Sequence, residues 1–321
     1  MLENDDIDIE KYIFHVADLL DKMELVGIEL NNDPIIIKRN DPDSGLASYM
    51  LTNLMHIVRS IDFGKLPLID MRKCWDSDTL AEDMNIWELF FEQPFFKGPQ
   101  GLDATTPILS GFPSSSLRIC MDFFTNEYLL NYWRKKYHQF IRFNQETQQH
   151  IDEVYCQIAD QKLLGILCRG TDYQNLRPYG HPTQPSVEQI VKDAQMIYKR
   201  QKCSKLYLAT EDAHIYQAFL NVFGADLIFT QKNLIYNYAK ALYLPAVYKE
   251  SSSNLIEINL DYITALAILS KCNCFLGGST SGTCIVQLMT SGFEYSYIYN
   301  LGNYCLDDAV GMISGGHQRR C

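Results

Sequence analysis

The stretch Leu163-Leu164-Gly165-Ile166-Leu167-Cys168-Arg169-Gly170-Thr171-Asp172-Tyr173 decides the fold. Its apolar half is too short for a typical helix and has no 3.6-residue alternation, so it reads as a buried strand that runs into a polar site. Arg169 then stands at the carboxyl end of a sheet strand, the edge where open α/β sheets hold their ligands. A guanidinium there suits a phosphate, because its fork of donors stays charged and meets two oxygens at once. Asp172 can hold that fork or a ligand hydroxyl. The same residues also suit a solvated turn with an Arg–Asp pair, and this stretch alone leaves both readings open.

The sequence downstream repeats the pattern. Val187, Ile190, Val191, Ala194, Ile197 and Tyr198 follow helical spacing, with Pro185 suited to the first turn of that helix. Strands are predicted at 205–209, 226–229, 272–278 and 295–299, with helices to about Val222, from Asp261 to Ser270 and from about Thr280. Strands and helices alternate, so the fold class is α/β, with a parallel sheet covered on both faces. Three polar segments fall at one end of it: Arg169 and Asp172, then Glu211 and Asp212, then Gly277-Gly278-Ser279-Thr280-Ser281-Gly282-Thr283. The last is a glycine turn with hydroxyls that opens a helix, where free N–H groups favour phosphate. It lacks the lysine of a Walker loop, and no GxGxxG occurs, which argues against a nicotinamide cofactor.

Upstream, residues 9–26, with apolar groups from Ile13 to Leu25, have the spacing of an amphipathic helix. Pro34 to Ile37 read as a strand, Asp41 to Gly45 as a turn, Ala47 to Ile61 as a helix and Leu66 to Asp70 as a strand, together one βαβ unit. Asp41-Pro42-Asp43 matches the DxD metal signature of some sugar transferases, but turn chemistry, with Asp41 or Ser44 as helix cap, explains it more simply. Asn85 to Gln93 mixes aromatic and acidic residues, suited to core packing or to a carbohydrate site. A helical pattern spans 126–157. The boundary is placed near Ala159, giving an N-terminal, acceptor-side domain over 1–159 and a nucleotide-sugar domain over 160–321.

Composition bounds the function. A chain of 321 residues with 47% hydrophobic and 21% charged residues has room for two cores. The net charge of −11 argues against broad nucleic-acid binding. No run approaches a membrane span, and the acidic N-terminus lacks a secretion pattern, which suggests a cytoplasmic protein, if anything at the inner face of a membrane. The ten cysteines form no CxxC pair and the seven histidines no HxxxH pair, so no zinc is expected. Cys272 and Cys274, two apart in the predicted strand, would share a face.

Taken together these motifs resemble the GDP-fucose-dependent fucosyltransferase superfamily, and within it a bacterial polysaccharide branch. LCRGTDY is similar to that group's HxRRxDY segment, YLATEDAHIYQAF to its ATDD turn, DYITALAILSKCNCFLGGSTSGT to its helix, strand and phosphate turn, and SGLASYMLTNLMHIVRSIDFGKLPLIDM to its N-terminal glycine loop. The resemblance covers roughly residues 44 to 300. It implies the GT-B architecture, two Rossmann-like domains facing across a cleft, and an inverting transferase with GDP-fucose as donor, a glycan acceptor and no metal or other cofactor.

Residue by residue, it gives Arg169 the diphosphate, Asp172 the following acid, Glu211 and Asp212 the guanosine, Ser279, Thr280 and Ser281 the phosphate turn, Asp261 the acid that opens the preceding helix, and Gly45 to Tyr49, Ser48 among them, the loop facing the donor. The family histidine before the arginine is Leu167 here and the second arginine is Gly170, whose contact Arg177 or His181 could replace. Asp172, His181 and Glu92 are the candidate bases. Three other readings stay open: a transferase using another nucleotide sugar, a glycan- or nucleotide-binding protein without catalysis, and a structural subunit of a polysaccharide assembly complex.

Overall fold

The computed structural model describes residues 34–39, 44–74, 83–95, 106–110, 126–170, 173, 177–232, 235 and 255–304. The expected helix near 9–26, the Asp41-Pro42-Asp43 turn and Asp172 lie outside them. The first unit holds β1 (Pro34–Ile37), α1 (Leu46–Asp62), β2 (Leu66–Ile69) and β3 (Ile108–Leu109), with strands in the order β2-β1-β3 and all pairings parallel. The helices α2 (Glu127–Phe140) and α3 (Gln145–Tyr155) follow. The single helical pattern expected over 126–157 is thus two helices. The chain extends at Ile141 and pairs Phe143 with Phe91, and Asn144 then caps a new helix by accepting from the Thr147 N–H.

The second unit contains β4 (Leu163–Leu167), α4 (Val187–Gln201), β5 (Lys205–Ala209), α5 (Ala213–Phe223), β6 (Ile228–Phe229), α6 (Leu255–Lys271), β7 (Cys274–Gly278), α7 (Ser281–Met289) and β8 (Tyr295–Tyr299). Its sheet runs β6-β5-β4-β7-β8, parallel throughout. The α/β class read from the alternation is the class this chain adopts.

Alternation along the strands sorts side chains to two faces. Leu164, Ile166, Leu206, Leu208, Cys274 and Leu276 pack with Ile190, Val191 and Ala194 of α4 and Phe219 of α5. Leu163, Leu167, Tyr207 and Phe275 pack on the other side with Leu266 and Leu269 of α6 and Ile285 of α7. That second cluster runs without a break into the first unit, through Tyr49, Met50, Leu54 and Ile57 of α1 and Trp133 of α2. Each fully buried Leu or Ile there contributes about 1.5–3 kcal/mol. Helix α1 is buried on nearly every side, as a helix must be when a sheet covers one face and α7 and α2 the other.

Several local expectations are corrected. Gly45, not Asp41 or Ser44, occupies the cap of α1, and no side chain caps that helix. Ser186 caps α4 by accepting from the Gln189 N–H, so Pro185 stands before the helix rather than in its first turn. Cys272 lies outside β7. Its thiol meets the Ile268 carbonyl at the end of α6, whereas Cys274 points into the opposite cluster, so the two share no face. For Asn85 to Gln93 the core reading holds: Trp87, Phe90 and Phe91 are buried, and the Asn85 and Gln93 amides hydrogen-bond the backbone of Ile69 and Met71 at the end of β2.

Candidate functional site

The order of the second sheet reverses between β4 and β7, the point at whose carboxyl ends open α/β sheets hold their ligands. Leu167 pairs with Gly277. Arg169 and Ser279, each two residues further on, therefore leave the sheet side by side, at the ~4.8 Å spacing of adjacent strands. Glu211 leaves β5 on the other side of β4 and closes on Arg169, with its Oε1 3.3 Å from the arginine Nε. The same carboxylate oxygen accepts the Gly170 N–H at 2.9 Å. A Cβ at position 170 would stand 3.0 Å from that oxygen and 3.4 Å from the Asp212 Cβ. An arginine at position 170, as in the resembling family, would have to displace Glu211.

Asp212 is 2% exposed and caps α5, accepting from the His214 N–H at 2.8 Å. Of the acidic pair, Glu211 faces the arginine and Asp212 is engaged with the helix end.

The phosphate turn is built by its own hydroxyls. Thr280 caps α7, its oxygen accepting from the Thr283 N–H at 3.1 Å, and Ser281, the first helical residue, is exposed. The N–H groups of this first turn have no acceptor within the helix, and the helix dipole adds to their attraction for an anion. Buried Gln184 holds the turn from the side by donating from Nε2 to the carbonyls of Ser279 and Pro182. Its own loop, 177–184, is fastened to 301–304: Gly180 N–H donates to the Tyr304 carbonyl, Thr183 N–H to the Gly302 carbonyl, and Pro182 pairs with Asn303.

That loop carries His181 to the arginine. Tyr173 stacks under the Arg169 guanidinium, 5.1 Å from ring to Cζ, and its hydroxyl lies 3.1 Å from His181 Nδ1. Desolvation first, and the Arg169 charge second, lower the His181 pKa from its ordinary 6.5, so its imidazole is neutral at pH 7. Arg177, in the left-handed region at φ 41°, is exposed on the same loop.

The other expected site residues are placed elsewhere. Asp261 does not open α6, which begins at Leu255; it sits in the second turn, where Gln231 Nε2 donates to it at 3.3 Å and His150 Nε2 lies 3.7 Å away. Glu92 is paired with Arg142 at 3.0 Å in the first unit's aromatic cluster. Ser48 accepts from Arg39 at 3.0 Å beside the Gly45 cap. Arg39 itself is 4% exposed, also donates to Ser44 and Thr52, and stacks on Tyr49; the sequence reading passed over it. Gln184 and Tyr262 were passed over as well. The phenol of Tyr262 stands near Arg169, Glu211 and Tyr173, and burial, opposed by Arg169, pushes it up to about 12.

Among the described residues no three His, Cys, Asp or Glu side chains gather to hold a metal ion. Nor is any helix there long and apolar enough to cross a membrane. No protein-family model matches the chain, and no curated sequence does. Among solved structures, NodZ alpha-1,6-fucosyltransferase co-crystallized with GDP is similar at TM-score 0.47 and 15% identity, over 81% of this chain and 93% of that one. Fucosyltransferase NodZ from Bradyrhizobium gives TM-score 0.47 and 14% identity over 81% and 94%. POFUT1 in complex with GDP gives TM-score 0.49 and 10% identity over 84% and 98%.

Proposed function

We propose that the chain is a GT-B glycosyltransferase that moves a sugar from a nucleoside diphosphate to a hydroxyl of a glycan acceptor, with GDP-fucose as donor, inversion at the anomeric carbon and no metal. The observation that carries this reading is the adjacency of Arg169 and the Ser279–Ser281 turn at the point where the sheet order reverses. One supplies a fixed positive charge and the other a set of backbone donors, the two things a diphosphate needs. Fucose and guanosine are proposed from the four sequence motifs, which span most of the described residues.

In this reading the bond between the anomeric carbon and the diphosphate oxygen breaks, and its electron pair stays on that oxygen. Arg169 and the first-turn N–H groups of α7 stabilise the growing charge in place of a metal ion. The acceptor oxygen bonds to the opposite face of the anomeric carbon and gives up its proton. We take His181 as the base: in the tautomer whose Nδ1–H donates to the Tyr173 oxygen, Nε2 is left to take that proton. Glu92 is a weaker candidate, tied to Arg142, and Asp172 lies outside the described residues. Glycine at position 170 favours a second reading, a nucleotide- or glycan-binding protein without turnover, because one phosphate contact of the resembling family is missing.

Thermal unfolding with GDP, GDP-fucose, GDP-mannose and UDP-sugars, with and without EDTA, tests the proposal. A ligand at a hundred times its dissociation constant adds about 2.7 kcal/mol, which moves the midpoint by several degrees. The expected result is a shift specific to guanosine diphosphates and indifferent to EDTA. No shift with any nucleotide rejects the donor site.

A further inference from the structure

Tyr262 directly follows Asp261 on α6, within a motif that singles out its neighbour and not the tyrosine itself. Its hydroxyl rests on the first turn of α7: a Cβ built on Gly282 would lie 2.9 Å from Tyr262 Oη and 3.2 Å from Leu167 Cδ2. Gly282 is buried, and only a residue without a side chain leaves the phenol this place. Among the described residues the hydroxyl has no hydrogen-bond partner, whereas Thr280 is engaged with Thr283, Gln184 Nε2 with Ser279 and Glu211 with Gly170. A half-buried hydroxyl left without a partner gives up stability that a phenylalanine would keep.

We propose that Tyr262 donates this hydroxyl hydrogen to a phosphate oxygen of the nucleoside diphosphate seated between Arg169 and the first turn of α7. The inference rests on the transferase reading above and adds a residue to it. The phenol is suited to the part. It reaches the turn from α6, whereas the N–H groups belong to α7 and Arg169 lies beyond the end of β4, so the three would hold the diphosphate from three sides. Burial keeps it protonated far above neutral pH, so it is a donor under all working conditions. When the glycosidic bond breaks, the hydrogen bond strengthens with the charge on the leaving oxygen, and Tyr262 keeps its proton throughout.

Tyr262→Phe, which preserves the ring, is compared with wild type by titration with GDP, UDP, guanosine and uridine, and by thermal unfolding without ligand. Whichever diphosphate the wild type binds should bind the variant roughly tenfold more weakly, with the matching nucleoside unchanged. The unliganded midpoint should be unchanged or higher, because no protein partner loses a bond. Gly282→Ala crowds the hydroxyl from the opposite side and should give a similar loss, with the double variant no worse than either single one. Unchanged diphosphate affinity in Tyr262→Phe, an equal loss for nucleoside and diphosphate, or additive losses in the double variant would overturn the assignment while leaving the transferase reading in place. A wild type that binds neither diphosphate removes both.

Discussion

Arg39 and Arg169 hold the same address in the two units, each two residues beyond the end of a parallel strand, and they are used differently. Arg39 is 4% exposed, with its guanidinium donating to Ser44, Ser48 and Thr52 and stacked on Tyr49. Arg169 keeps 26% of its side chain in solvent beside an exposed Ser281 and the hydroxyl of Tyr262. The acids follow suit. Asp70, next after β2, is buried against Arg72 at 2.8 Å and Lys38 at 3.5 Å, while Glu211 beyond β5 braces Arg169 and the Gly170 N–H. The first sheet edge spends its charges on its own backbone and loops and is a scaffold. The second leaves part of its hydrogen-bonding capacity facing outward, which is what a ligand requires.

The sharpest break of this contrast is Arg169→Ala. If the second edge is the working one, turnover should fall by about a thousandfold or more, since the main charge opposite the leaving group is lost, with the unfolding midpoint near that of wild type. Steady-state kinetics with the donor identified by unfolding shifts checks it; full activity would reverse the assignment of the two edges.

Arg39→Ala should do the opposite. It strands three hydroxyl acceptors and opens a cavity under Tyr49, costing about 2–3 kcal/mol in urea unfolding. Whatever activity is lost should return under stabilising conditions. A variant as stable as wild type but inactive would make Arg39 a site residue.

The smallest effect is expected from Asp70→Asn, about 1–2 kcal/mol at pH 7. Burial opposes ionisation of Asp70, but its hydrogen bonds to Arg72 and the charge of Lys38 together set its pKa below 3.8. The folded value is thus depressed, and the contribution is complete above the unfolded aspartate range and lost as pH falls through the folded value. Stability measured against pH should show the difference between Asp70→Asn and wild type closing below about pH 4. A difference that persists in acid would mean the side chain matters by shape alone.

What could be read from the sequence follows from how each signal is encoded. β4, β5, β7 and β8 were legible within one or two residues because buried parallel strands are apolar runs with no competing helical period. The positions of Arg169 and the Ser279–Ser281 turn just beyond strand ends were legible for the same reason: they are the first polar residues after such runs. The start of α6 was missed, although Asn254 before it and Glu257 three residues on have the spacing of a cap and its acid, because Asp261 ahead of the apolar run YITALAILS looks like the opening acid. Arg39 reads as one more surface charge in KRND, and its burial depends on α1 folding back over it. Tyr262 sits in the apolar run YITALAILS, where an aromatic ring signals core. Its hydroxyl acquires meaning only when α6 and α7 are brought together, and the one local hint was a glycine, Gly282, inside a helix where alanine would be preferred.

Helix α7 also joins what the two sheet edges separate. Its first turn is the phosphate turn, its body packs on α1 and α2, and Arg134 of α2 grips its last turn by donating to the Gln287 carbonyl at 2.8 Å. At 1.5 Å per residue its nine residues span roughly 13 Å. So short a helix, gripped at its far end by α2, ties the placement of its first-turn N–H groups to the packing between the two units.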